Sequence, residues 1–239
     1  MGGARILGLV GGTGPESTVA YYRGLVAAWR AAGTGDTFPR VLLYSIDGGS
    51  LWRLLEAADL GVVSDELIDA IDRLQAAGAG MALIASNTLH AVFDEVRASV
   101  SIPMLSIVDA TVVAVQRAGI QRPVLLATQS VMNSNLYPVP LAEAGISMLL
   151  PSEEEQTYIH QKYVEELIFG RPTADTSRNL VDIIGAVRHR QHADGIILAG
   201  TELSTVLGES EYHGMPVIDS TRVHVDAAVT WLLAGTDSG

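Results

Sequence analysis

The chain has 239 residues, 48% of them hydrophobic and 18% charged, enough apolar material to bury a sizeable core and too much for a disordered polymer. Its net charge of −12, with no Lys/Arg-rich run, sets up a field that repels nucleic acid and acidic membrane surfaces. The absence of cysteine excludes disulfides, thiolate metal sites, iron–sulfur clusters and every thiol-based mechanism.

Short apolar runs rich in β-formers alternate along the chain with amphipathic stretches of ten to twenty residues, the pattern of βα units around a mainly parallel sheet. Strands are expected at 5–10, 41–46, 81–85, 104–106, 123–127, 146–150, 195–199 and 217–218, the number that two four-stranded sheets need. Helices are expected at 17–32, 65–77, 88–98, 109–118, 131–144, 153–168, 175–191 and 221–233. No apolar run approaches the roughly 18 residues of a membrane span. Residues 1–5 lead straight into a strand, without the basic and apolar regions of a signal sequence. No membrane partner, no nucleic-acid partner and a cytoplasmic location are therefore expected.

Residues 79–89 read like residues 193–203, an offset of 114 that carries Ser86 onto Gly200. At nearly the same offset, the strand running into Gly12-Thr13 matches the strand running into Ala127-Thr128. Duplication of an α/β unit explains both echoes; the plainer alternative is that buried strands resemble one another. Ligands of open α/β sheets bind outside the carboxyl ends of strands, so a duplicated pair is expected to offer two such ends to a shared cleft.

Polar residues gather at those ends. Gly11-Gly12-Thr13-Gly14-Pro15-Glu16 follows the first strand and opens a helix, a fair anion site through its backbone amides, or simply a tight turn. It fits neither the phosphate-loop nor the dinucleotide pattern. Ser86-Asn87-Thr88-Leu89-His90 ends the third strand; Asn87 or Thr88 as a helix cap is the plain reading, which leaves other hydrogen-bonding side chains unexplained. Ser86 lacks the Gly-x-Ser-x-Gly elbow of a triad hydrolase, and His90 reads as a supporting histidine rather than a base. Gly200-Thr201-Glu202 closes the seventh strand, with Glu202 either a favourable acid at a helix start or a proton donor and acceptor.

Other segments are less specific. Ser45-Ile46-Asp47, Thr128-Gln129-Ser130 and Asp219-Ser220-Thr221 also stand at strand ends, where turn chemistry accounts for them equally well. Tyr158, Lys162 and Glu166 share a helix face that reads as a solvated charged surface, with Lys162 reaching a substrate carboxylate as the sharper option. Trp52 and Arg53 read as parts of a flap. His189 and His192 read as solvent-facing, no metal-ligand spacing is present, and no cofactor is implied.

Taken in order, these segments resemble the aspartate/glutamate racemase superfamily from Ile6 to about Leu233. Gly11-Gly12-Thr13-Gly14-Pro15-Glu16-Ser17-Thr18 with Tyr21-Tyr22 is similar to that family's opening Gly-Gly-Met-Gly-Pro-Glu-(Ala/Ser)-Thr…Tyr-Tyr. The end of the third strand is similar to its Cys-Asn-Thr-x-His, and Ala127-Thr128 with Met132 and Tyr137 to its Gly-Thr-x-x-Thr-Met…Tyr. Gly200-Thr201-Glu202 resembles its Gly-Cys-Thr-Glu, and Asp219-Ser220 with His224 its closing motif. The resemblance is strongest to the cofactor-independent amino-acid racemases. It implies two similar α/β domains with mainly parallel four-stranded sheets related by pseudo-twofold symmetry, placed at 1–112 plus 212–239 and at 113–211. It further implies an active site between them and a homodimer.

In the family, one cysteine on each face of the substrate's Cα removes or returns its proton. Here those positions hold Ser86 and Gly200. An alcohol is far weaker as an acid than a thiol and needs a neighbouring base, and glycine has nothing to exchange. Val131 for the usual Thr and Thr13 for the usual Met alter the same expected cleft, while Gly12, Asn87, Thr88, Thr128, Thr201 and Glu202 remain to bind a small carboxylate. Two-thiol racemisation is thus excluded. The expected enzyme transfers a proton on one side, decarboxylates, eliminates or cyclises, with an enolate-like intermediate held by oriented donors, Ser86 as a hydrogen-bond donor or an activated acid/base and Glu202 as the remaining acid/base candidate. The alternative is a catalytically silent binder of a small acid, and a third reading makes the serine an engineered trap, which Gly200 leaves incomplete. Gly200 also leads us to expect a pocket in the volume its missing side chain vacates.

Overall fold

Strands buried on both faces need apolar side chains at every position rather than at alternate ones, and Leu7–Gly11, Pro123–Ala127 and Gly195–Ala199 are buried throughout. The computed structural model describes residues 5–56 and 59–235. They form two compact units, Met1–Ile107 with His224–Gly239, and Val108–Val223. Both are α/β, each with a four-stranded and mostly parallel sheet.

In the first unit the sheet order is β2 (Val41–Ser45), β1 (Leu7–Gly11), β3 (Met81–Ile84), β4 (Met104–Leu105), all parallel. Leu7, Leu9 and Leu83 pack with Tyr21 and Leu25 of α1 (Pro15–Ala31) and with Val225 and Val229 of α11 (Ser220–Leu233). Val10, Ala82 and Ile84 face the opposite layer, made by α2 (Gly48–Glu56), α3 (Leu60–Ala76) and α4 (Phe93–Ser99). Each fully buried leucine in these layers contributes about 1.5–3 kcal/mol.

The second unit has the order β5 (Pro123–Ala127), β6 (Gly195–Ala199), β8 (Met215–Asp219), β7 (Glu211–Tyr212), with only β7 antiparallel. Leu149 makes an isolated parallel bridge to Val124 on the free side of β5. With that bridge in the place of β2, the two sheets share one strand order, as expected of a duplicated unit.

Several expectations are corrected. The strand foreseen at 146–150 is reduced to the Leu149 bridge, where Leu149 N–H donates to Pro123 and Leu125 N–H to Leu149; this edge segment is only half-buried and gains little from extending. The helix foreseen at 131–144 breaks into α6 (Gln129–Met132) and α7 (Pro138–Glu143), because Pro138 starts a helix rather than continuing one. The segment at 88–98 opens as a 3₁₀ turn, Thr88–Val92, before α4. The short helix α2 stands where a flap was expected, and α10 (Thr201–Val206) is a short helix with Glu202 in its first turn, the plain reading of that segment. Strand β8 is hydrogen bonded to β6 and lies in the second unit, and the chain is back in the first unit from His224.

Candidate functional site

At the carboxyl end of the first sheet, register sets Gly11 beside Ser45 and Val10 beside Ile84, so the loops after β1, β2 and β3 leave from one edge. Gly12 has φ +95°, and a Cβ there would lie 2.2 Å from the Ile46 carbonyl oxygen; only glycine serves. Gly12 N–H donates to Thr18 Oγ1 at 2.8 Å, which closes the turn onto α1. Trp52 Nε1–H donates to the Thr13 carbonyl at 3.0 Å, so α2 fixes the loop that presents Thr13.

After β3, the Ser86 hydroxyl accepts from Leu89 N–H at 3.3 Å. Ser86 caps the following turn, the role expected of Asn87 or Thr88. Asn87 is buried and Thr88 half-buried. His90 is stacked on Phe93 with 4.8 Å between ring centroids. Its Nε2 accepts from Ile107 N–H at 3.1 Å, so the proton sits on Nδ1, which donates to the Ser86 carbonyl oxygen at 2.6 Å. Burial pushes His90 down to about 4. It is a neutral strut that ties the end of β3 to the start of α5 (Ile107–Arg117), and it activates no hydroxyl. Among the described residues, no base reaches Ser86 Oγ.

His224 is a second buried strut. Tyr21 O–H donates to its Nδ1 at 2.9 Å, and its Nε2 donates to the Leu105 carbonyl at 3.0 Å. Burial, with His90 nearby, pushes it down to about 3.

At the carboxyl end of the second sheet, Ala127 pairs with Ala199 and Leu198 with Asp219. Thr128, Gly200 and Ser220 therefore leave neighbouring strands at one edge. Thr128 Oγ1 shares a 3.0 Å hydrogen bond with Ser130 Oγ. Val131 lies in the core, 2% exposed. Tyr137 is fully buried, its hydroxyl bonded to Thr111 and Ser220 and its ionisation opposed by burial. Asp219 accepts from Thr221 N–H at 2.9 Å and Arg222 N–H at 3.3 Å, which starts α11; burial raises its pKa.

Glu202 is 6% exposed. Its Oε2 accepts from Thr201 Oγ1 at 3.0 Å and also from the Tyr163 hydroxyl. Tyr163 comes from α8 (Glu153–Glu165) and is likewise 6% exposed. The volume expected to be vacant beside Gly200 is taken up at its start: a Cβ on Gly200 would lie 2.7 Å from the Tyr163 hydroxyl oxygen and 2.8 Å from its Cε2. The tyrosine fills the volume that the missing side chain leaves. The sequence held no signal for this residue, since it stands 39 positions from Glu202 on a helix of otherwise ordinary pattern.

Lys162 is not a substrate-reaching cation. It bonds Glu166 Oε1 at 2.7 Å, and Glu166 Oε2 accepts from Thr176 Oγ1 at 2.6 Å and Thr173 N–H at 3.1 Å. Lys162 foremost, then Thr176, holds the Glu166 carboxyl down to about 2, and the pair joins α8 to α9 (Ala174–Gln191). Among the described residues no group of three or more His, Asp or Glu side chains is placed to hold a metal, and no helix is long and apolar enough to cross a membrane.

Two α/β units with a common strand order, each carrying hydroxyls, amides or a buried carboxylate at the carboxyl ends of parallel strands, define a class of small-ligand α/β proteins. Within it, this chain belongs to the Asp/Glu/hydantoin racemase family, whose model matches residues 10–228. It is 25% identical over 242 residues to RacX of Bacillus subtilis strain 168, a broad-specificity amino-acid racemase, covering 96% of this chain and 99% of that one. The crystal structure of a candidate Asp/Glu racemase from Yersinia pestis superposes with a TM-score of 0.87 at 30% identity, covering 96% and 99% of the two chains. An aspartate racemase homologue from Pyrococcus horikoshii OT3 gives 0.85 at 30% identity, with the same coverage.

Proposed function

We propose that this chain is an isomerase- or lyase-type enzyme of its family, acting on a small carboxylate or amino-acid-derived substrate by proton transfer on one face rather than by exchange between two thiols. Family membership supports the amino-acid substrate class. The lack of any cysteine removes thiol chemistry, since no other side chain supplies a thiolate. In this reading Gly12, Thr13, Asn87, Thr88, Thr128 and Thr201 hold the substrate, and hydroxyl and amide donors stabilise the enediolate that forms when a proton leaves carbon.

The observation that carries the proposal is the buried Glu202 at the end of β6, gripped by two hydroxyls. In this reading Glu202 is the acid/base group of the site, whereas among the described residues no base is hydrogen bonded to Ser86 Oγ, which is left to serve as a hydrogen-bond donor to the substrate. That idle Ser86 favours the second reading, a silent binder of a small acid.

A panel of amino acids and dicarboxylates in D₂O, followed by proton NMR, separates the two. The enzyme reading expects solvent deuterium at carbon, lost by about 100-fold or more in Glu202→Gln and by far less in Ser86→Ala. Thermal stabilisation by a panel member with no exchange and no product establishes the binder instead.

A further inference from the structure

Gly200 has φ −177° and ψ 126°, extended backbone that any residue adopts, so conformation does not demand glycine there. Space does. The Tyr163 hydroxyl oxygen lies 2.7 Å from where the Cβ of residue 200 would be, and it arrives from a different element, α8. A phenolic oxygen thus occupies the start of the path that a side chain at the end of β6 would follow.

That hydroxyl is not idle packing. Its proton is donated to Glu202 Oε2, and Thr201 Oγ1 donates to the same oxygen at 3.0 Å. Both Tyr163 and Glu202 are 94% buried, each being 6% exposed. Burial, and next the Glu202 charge, raises the phenol far above its ordinary value, so a free phenolate beside the carboxylate is strongly disfavoured. A phenol in this setting moves a proton only if it gains one as it loses one.

We propose that Tyr163 is the proton-exchanging catalytic residue at the end of β6, with Glu202 as its relay partner, so that a tyrosine from α8 supplies the chemistry that residue 200 lacks. This rests on the proton-transfer reading given above and names the group that performs it. In the forward step the substrate C–H bond breaks and its proton goes to the Tyr163 oxygen. The original phenolic proton passes to the Glu202 carboxylate in the same event, and the electron pair left on carbon enters the substrate carboxylate as an enediolate. The negative charge moves from Glu202 to the substrate, and tyrosine stays neutral throughout. Return of a proton to carbon reverses each transfer and restores the Glu202 carboxylate.

The test follows tritium release from Cα-tritiated members of the panel in H₂O and in D₂O, with the wild-type chain, Tyr163→Phe and Glu202→Gln, each checked for folding by circular dichroism. The relay expects kcat to fall about 100-fold or more in Tyr163→Phe, with KM within about threefold. It also expects release by the wild type to be slower in D₂O, because the exchangeable phenolic proton moves in the same step. That second readout needs no variant and holds if Tyr163→Phe fails to fold. Release by folded Tyr163→Phe within about threefold of wild type, or equal wild-type rates in the two solvents, overturns the relay and leaves the proton-transfer reading standing. No release from any panel member by the wild type overturns both.

Discussion

Gly12 and Gly200 are both glycines at strand ends, yet the physical reasons differ. Gly12 answers to conformation and to space at once, with φ +95° and the Ile46 backbone against its missing Cβ. Gly12→Ala is expected to cost about 2–4 kcal/mol, the sum of a left-handed outlier and an overpacked contact, read as a lower denaturant midpoint. A midpoint within experimental scatter of wild type would show that the loop shifts freely. Gly200 answers to space alone, and its obstacle is the far end of a tyrosine. The sequence made both positions visible, Gly12 in a glycine turn and Gly200 where the resembled family carries a cysteine, but it could not say what fills the space. Tyr163 sits among Gln156, Ile159 and Leu167 in a stretch that reads as core-facing helix, and nothing local distinguishes a tyrosine aimed at a carboxylate from one buried in apolar surroundings.

The elements themselves were legible where local signals were strong. Helix α8 begins at Ser152, whose hydroxyl accepts from Glu155 N–H at 3.3 Å while the Glu155 carboxylate accepts from Ser152 N–H at 2.8 Å. This reciprocal cap is written in the spacing of Ser152 and Glu155. Ser152→Ala is expected to destabilise the second unit by about 1 kcal/mol, measured by thermal or urea unfolding. Because α8 carries Tyr163, a fall in turnover larger than that loss of stability explains would tie the cap to the position of the phenol. Glu155 also receives both Arg190 guanidinium nitrogens, at 3.0 and 2.6 Å, which fastens α8 to α9. The failures came where signals compete. Pro138 overrode an otherwise helical pattern at 131–144, and the apolar run at 146–150 lacked a second neighbour to make it more than a bridge.

For the molecule as a whole, two buried neutral histidines set the response to acid. Unfolded, His90 and His224 take up protons below about pH 6.5; folded, burial delays this to about 4 and about 3. Between those limits the unfolded chain binds more protons, so stability is full above pH 6.5 and falls as pH drops below it. Both residues belong to the first unit. Its unfolding free energy is expected to drop by about 2–4 kcal/mol between pH 7.5 and pH 5. A urea midpoint that stays level over that interval would contradict the assignment of both rings as neutral struts. The Glu166 carboxyl, held down to about 2, adds a loss of the same sign only below its ordinary range near pH 4.5.

The order of apolar runs, turns and caps along this chain determined its α/β class, the duplication of its unit and its family, because each depends on patterns confined to a few neighbouring residues. The missing cysteines were equally plain, since absence needs no geometry. Tertiary structure alone decided that Ser86 is a cap, which partners His90 and His224 brace, and that the space beside Gly200 holds the Tyr163 phenol against Glu202. Those facts depend on which distant side chains meet, and packing of separate elements, not local propensity, sets that.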